Sequence, residues 1–296
     1  MGCKLTRFKS KDNLELQGLL YEPEKRTKRA IIHVHGWIGN FYQNSFIDPI
    51  AQSALNENIA FFSFNNRGEG IVNEFRRNGE TEEIGGSLEK FKECVYDIGG
   101  AINCLESKSY EEIILQGHSL GCQKAAYYQN RKKDNRVKSL VLLSPVDDVE
   151  YTSKCLLSKE KYEESLKIAR EMVESGRGQE PVPEWMQFYP LLSANMFLQV
   201  SDPKSESGRL FDYSGDLSEL KSIDVPILAV FGSLDDYQIE PAEKLKIIKD
   251  KIGCSTALIK DGDHWFASHE KELARQVLSW VVEKVWKNKD NYKERE

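Results

Sequence analysis

Five short apolar runs, each closed by Gly, Ser, Pro or Asn, constrain this chain more than any other feature. They are "AIIHVHG" (30–36), "IAFFSFNNRG" (59–68), "EIILQGHS" (112–119), "KSLVLLSP" (138–145) and "PILAVFGS" (226–233). A run that is apolar at consecutive positions, rather than alternate ones, suits a strand buried on both faces of a mostly parallel sheet. "LTRF" and "LELQGLLYEP" add an edge hairpin turning at Lys11, Asp12 and Asn13, and "STALIK" (255–260) adds one more strand. Between the runs, Leu88, Phe91, Val95, Ile98, Ile102 and Leu105 fall three or four apart and predict one buried helix face. Leu273, Val277, Trp280, Val281 and Val285 do the same near the C-terminus. Strands interleaved with helices in this way predict an α/β fold, a doubly wound and mostly parallel eight-stranded sheet.

The rhythm breaks between 147 and 222, where no strand pattern occurs. Tyr162, Leu166, Ala169, Met172 and Val173 predict an amphipathic helix that stops at Gly176. A Pro/Gly-rich breaker, "GRGQEPVPEW", follows, and then a second short helical pattern around "SANMFLQV". We expect a helical cap insertion over 147–222, after the sixth strand of the sheet. Residues 1–146 and 223–296 then form the core domain. At that end of the sheet the insertion either covers a site or decorates the periphery. The charged tail "KNKDNYKERE" predicts a frayed end.

Composition excludes several classes. A net charge of -6 gives no attraction for nucleic acid or an anionic membrane. No run of about 18 apolar residues exists to cross a bilayer, and "MGCKLTRFKS" has no signal-peptide core. Its Met-Gly start with Thr6 formally matches a myristoylation pattern, but strand-like residues follow. The six cysteines are scattered without a Cys-x-x-Cys pair, which predicts reduced thiols in a cytoplasmic setting. His33-x-His35 lacks further ligands, so structural histidines are expected there and no metal. "NNRGEGIVN" (65–73) lacks the third glycine of a dinucleotide loop, and no Walker Lys-Ser/Thr follows any glycine loop. No cofactor is predicted; the expected partner is a small molecule.

Chemistry enters at "QGHSLGCQ" (116–123). Ser119 lies between Gly117 and Gly121, on a junction where the strand "EIILQ" meets the helical "LGCQKAAYYQNR". A sharp turn there lifts the serine hydroxyl out of the sheet and needs small flanking residues. The helix start that follows favours developing negative charge. Ser119 is the candidate nucleophile. Of five histidines, His264 is the candidate base, because its loop follows the last strand and can reach the sheet's C-terminal edge. Asp235, three residues past Gly232, is the candidate orienting acid, with Asp236 as the alternative. The backbone N–H groups of Leu120 and Trp37 are the candidate oxyanion donors. Trp185 and Trp265 are candidate pocket residues for an apolar or aromatic group, although ordinary packing would also employ them.

These motifs together resemble the α/β-hydrolase superfamily. "HGW", "RGEG", "GHSLG", "GSLDD" and "GDHWF" occur in that family's order, over nearly the whole chain. "GHSLGCQKAAYY", "LLSPVDDVE", "AREMVESGRGQEPVPEW" and "LLSANMFLQVSDP" further resemble a fungal and plant group that includes fusarinine-type siderophore ester hydrolases. The resemblance implies a cofactor-free serine esterase with Ser119 as nucleophile, His264 as base and Asp235 as its orienter. An amidase, peptidase or thioesterase using the same triad is the alternative enzyme. A non-catalytic binding protein on the same fold is the alternative from another class.

Overall fold

In a computed structural model that describes residues 2–287, each apolar run has become a strand. The chain opens with a hairpin, β1 (Cys3–Lys9) and β2 (Glu15–Tyr21), then β3 (Arg29–Val34), α1 (Ile47–Asn56) and β4 (Ala60–Phe64). A small separate hairpin follows, β5 (Asn73–Arg77) and β6 (Glu80–Ile84), and then α2 (Cys94–Glu106), β7 (Glu112–His118), α3 (Leu120–Lys132) and β8 (Val137–Leu143). Between β8 and the next strand lie α4 (Asp148–Tyr151), α5 (Lys159–Glu174), α6 (Ala194–Ser201) and α7 (Ser218–Lys221). The chain then runs through β9 (Ile227–Gly232), α8 (Pro241–Ile252), β10 (Ser255–Ile259) and α9 (Glu270–Trp280).

The main sheet has eight strands in the order β1-β2-β4-β3-β7-β8-β9-β10. Pairing is antiparallel from β1 through β2 to β4 and parallel from β4 to β10. Burial explains why the strands read as unbroken apolar runs. Ile32, Leu115, Leu142 and Phe231 face one hydrophobic layer, which includes Ile98 of α2, Ala125 of α3 and Ile248 of α8. Their neighbours Ile31, Ile114, Val141 and Val230 face the other layer, with Ile50 of α1 and Val277 of α9. Covered on both faces, these central strands leave no position for solvent-facing alternation. The helices between β8 and β9 join the first layer through Leu166, Ala169, Met196 and Phe197.

Three details depart from the sequence expectation. Leu88 lies in a turn before α2, because Gly85, at φ 95°, accepts the Leu88 and Glu89 N–H groups and ends the helical path there. Val173 is exposed. Leu166, Ala169 and Met172 take the buried stripe of α5, and Val173 lies about 100° further round. The β5–β6 hairpin was not anticipated. Its strands, "NEFRR" and "ETEEI", carry too much charge to read as strands, yet they flank Asn78 and Gly79 at φ 53° and 90°. An Asn-Gly pair is the strongest short signal for a two-residue hairpin turn. Residues 288–296, most of the charged tail, lie outside the described residues, as does Met1.

The chain order steps from β3 to β4 on one side and to β7 on the other. Such a switch point opens a crevice at the C-terminal ends of the strands, where open α/β sheets bind ligands. Trp37 follows β3 there, and Ser119 follows β7.

Candidate active site

Ser119 is held at φ 53° and ψ −129°, a conformation that few side-chain-bearing residues adopt. Its N–H donates to the Leu143 carbonyl (2.9 Å), and its carbonyl accepts the Cys122 N–H (2.7 Å). The flanking glycines have no room for a side chain. A Cβ on Gly117 would lie 2.2 Å from the Gly121 oxygen, and one on Gly121 would lie 2.1 Å from the Val34 oxygen. Both obstacles are backbone and cannot swing aside. Gly121→Ala is therefore expected to push α3 off β3, costing about 1–3 kcal/mol or more and misplacing Ser119. Thermal melts and turnover should fall together; a variant with wild-type melting and wild-type rate would show that the elbow tolerates a wider turn.

Asp235 and His264 come from the loops after β9 and β10. The His264 Nδ1–H donates to both Asp235 oxygens, at 3.0 and 3.1 Å, and both residues are buried. The Tyr237 N–H gives Asp235 another hydrogen bond at 3.0 Å. Burial opposes ionisation of Asp235, but its hydrogen bonds to His264, Ser144 and the Tyr237 N–H prevail and hold it below the usual carboxylate range. Asp236, the alternative acid, is exposed. Asp235 over Asp236 is thus a matter of which neighbour turns inward to the imidazole.

The His264 loop is buckled down from behind. His118 is buried, and burial pulls its imidazole down to about 3. Its Nε2 lies 2.9 Å from the His264 carbonyl, and a carbonyl only accepts, so Nε2 carries the proton. Nδ1 then accepts from Asn44 at 3.4 Å. The Tyr237 ring lies 4.4 Å from the His264 ring, and Trp265 meets it edge-on at 5.0 Å.

The loop after β3 completes the site. A Cβ on Gly36 would approach the Ser119 Cβ to 3.0 Å, so this loop runs directly over the serine. Among the described residues, the backbone N–H groups of Trp37 and Leu120 make no hydrogen bond. Ser119, His264, Trp37, Leu120, Trp185 and Trp265 all line one cavity of about 630 Å³, and Asp235 stands behind His264. Trp185 and Trp265 are both partly exposed, at 44% and 42%.

The segments set aside in the sequence support this loop. His35 Nδ1–H donates to the Gly36 carbonyl (2.8 Å), and its Nε2 accepts the Asn66 N–H (3.0 Å). The Asn66 side-chain oxygen accepts from Lys124 Nζ (3.0 Å), which also reaches both Glu89 oxygens at 2.7 and 2.8 Å. His33 instead accepts from Gln116 (2.9 Å) and stacks on Phe61. Both histidines thus lie within the core, where His33 Nε2 has no hydrogen-bond partner among the described residues. Among the described residues, no cluster of three or more His, Cys, Asp or Glu is placed to hold a metal ion. "NNRGEG" after β4 is therefore a bracket for the Gly36–Trp37 loop. Its signal in sequence was the run of hydrogen-bonding asparagines, not its glycines. Asn44, Ser144, Tyr237 and Asp148 also reach the site and were not anticipated.

A family model described as "Protein of unknown function (DUF1749)" matches residues 81–288. No curated protein sequence matches the chain. Among solved structures, it is similar to the α/β hydrolase GrgF from Penicillium sp. sh18, with 18% identity and a TM-score of 0.65 over 96% of this chain and 99% of that one. It is also similar to Est1E from Butyrivibrio proteoclasticus, solved with ferulic acid bound. That match has 13% identity and a TM-score of 0.66 over 94% and 98% of the two chains. A third similar structure is that of DcsB in complex with its substrate analogue, at 16% identity and a TM-score of 0.67 over 96% and 100%. These likenesses establish an α/β-hydrolase fold.

Proposed function

The chain belongs to the DUF1749 family, carries the α/β-hydrolase fold, and from that premise we propose that it is a serine hydrolase cleaving carboxylic esters through an acyl-enzyme. The observation that carries the reading is His264, hydrogen-bonded to Asp235 behind it, sharing one cavity with Ser119 and two uncommitted N–H groups. The narrower likeness of the 117–128 segment and the insertion to fusarinine-type siderophore ester hydrolases supports an ester over an amide.

Ser119 attacks the substrate carbonyl while His264 Nε2 takes its proton. The oxyanion forms against the Trp37 and Leu120 N–H groups, which need no reorganisation to receive it. His264 then protonates the leaving alcohol and later activates water against the acyl-enzyme. Asp235 stays ionised and keeps the imidazole proton on Nδ1. Residues 147–222 act as a cap over the cavity, to which they contribute Tyr151, Trp185 and Tyr189. The six cysteines are free thiols, which fits a cytoplasmic setting. Among the described residues, no helix is long and apolar enough to cross a membrane.

Side-by-side hydrolysis of p-nitrophenyl acetate and p-nitroacetanilide tests the reading. The ester should turn over and the anilide should not. Preferential anilide cleavage would make this an amidase, and inertness toward both would contradict the hydrolase reading.

Asp235→Asn should lower turnover by about 10⁴-fold, because an amide at that position favours the wrong imidazole tautomer. Asp235 also links the site to stability. Its folded value lies below that of the unfolded chain, so the His264 pairing contributes stability above about pH 4 that is lost as pH falls through the folded value. Acid unfolding of Asp235→Asn should show a shallower dependence in that window. An unchanged profile with unchanged turnover would remove Asp235 from the triad.

A further inference from the structure

Six aromatic side chains line the cavity that holds Ser119: Trp37, Tyr151, Trp185, Tyr189, Tyr237 and Trp265. Neither Lys nor Arg lines it, and the carboxyl among its lining residues is that of Asp148, the first residue of α4. Asp148 is held in place from beneath. Gln123 on α3 donates one N–H to Asp148 Oδ2 at 2.6 Å and the other to the Val146 carbonyl at 3.0 Å. The preceding carboxylate, Asp147, serves the backbone instead and accepts the Glu150 N–H at 2.8 Å. The nearby cations are committed elsewhere, since Lys154 and Lys244 both pair with Glu150. Among the described residues no Lys or Arg forms an ion pair with Asp148. Burial and the charge of Asp147 push Asp148 up to about 8.

Asp148 is partly exposed on the cavity wall, and a cation seated beside it would favour the ionised carboxylate and displace the proton it otherwise holds near neutral pH. The aromatic rings that line the same cavity attract the same kind of group through their quadrupoles. We propose that Asp148 and the surrounding rings form a subsite for an alkylammonium group on the substrate, so that the enzyme selects esters carrying an amine. This rests on the ester-hydrolase reading for its use in catalysis, although the binding itself does not.

Binding of hexylammonium and of 1-hexanol to the wild-type protein tests the subsite, read by quenching of tryptophan fluorescence at about pH 8.5, where an alkylammonium is still charged. The two probes match in length, and the readout needs no turnover. Hexylammonium should bind about tenfold or more tightly than hexanol. In Asp148→Asn, which keeps an oxygen for Gln123, that ratio should collapse toward one. Equal binding of the two probes by the wild type would overturn the proposal without any variant. A ratio unchanged in Asp148→Asn would overturn the role of Asp148. Hydrolysis of p-nitrophenyl acetate, measured in parallel, reports on the ester-hydrolase reading by itself, so the two failures are distinguishable.

Discussion

Ser119→Ala should cut turnover of an activated ester by about 10⁶-fold while leaving the melting temperature close to that of the wild type. The size follows from the triad acting as a unit. Without the hydroxyl, the His264 base has no proton to take and Asp235 has no imidazolium to stabilise. What remains is binding plus the Trp37 and Leu120 N–H groups, enough for a residual acceleration of about 10³–10⁴-fold over water. The stability half of the expectation is equally specific. The Ser119 backbone is anchored by its own N–H and carbonyl, to Leu143 and Cys122, and neither bond involves the side chain. Alanine must still occupy φ 53°, as serine does, so the strain is not relieved. A variant within tenfold of wild-type turnover would mean that another group carries the acyl.

Lys124→Met should destabilise the fold by about 3–5 kcal/mol, with a melting temperature lower by on the order of 10 °C. Lys124 and Glu89 are both fully buried, and the ammonium donates to Glu89 twice and to Asn66 once. Burial already opposes ionisation of Glu89, and its attraction to Lys124 is the largest influence acting the other way. Removing the cation leaves a fully buried carboxyl without the ammonium that pairs with it. The damage should also reach the chemistry. Asn66 loses a partner, and its N–H fixes His35, which holds the Gly36 carbonyl next to the Trp37 donor. The double variant Lys124→Met with Glu89→Leu should recover much of the stability, since exchanging a whole buried pair for apolar groups is often neutral. A single variant costing less than about 1 kcal/mol, by urea titration, would show that water reaches this pair.

The five central strands β3, β4, β7, β8 and β9 were legible because each is buried on both sides, which writes consecutive apolar residues into the sequence. The serine elbow was legible because its geometry demands glycine at two fixed offsets, and the Gly117 and Gly121 contacts give the reason. The order of the candidate triad residues could be read from loops that follow strands. Other parts of the site rest on polar residues that meet only in three dimensions. His35 meets Asn66 31 positions away, and His118 meets the His264 carbonyl 146 positions away. No local periodicity records such pairs. Asp148 illustrates the same limit: next to Asp147 in sequence it reads as a second acidic loop residue. One of the two turns back to cap α4, and the other faces the cavity. The β5–β6 hairpin was different, because its Asn78-Gly79 signal was present and its charged strands obscured it.

The most direct measurement is covalent labelling with a fluorophosphonate probe, followed by mass spectrometry of the modified peptide. One adduct should form, on Ser119, and it should vanish in Ser119→Ala and slow sharply in Asp235→Asn. A wild-type chain that stays unlabelled, or one whose adduct persists in Ser119→Ala, would mean that the hydroxyl at this turn is not an activated nucleophile.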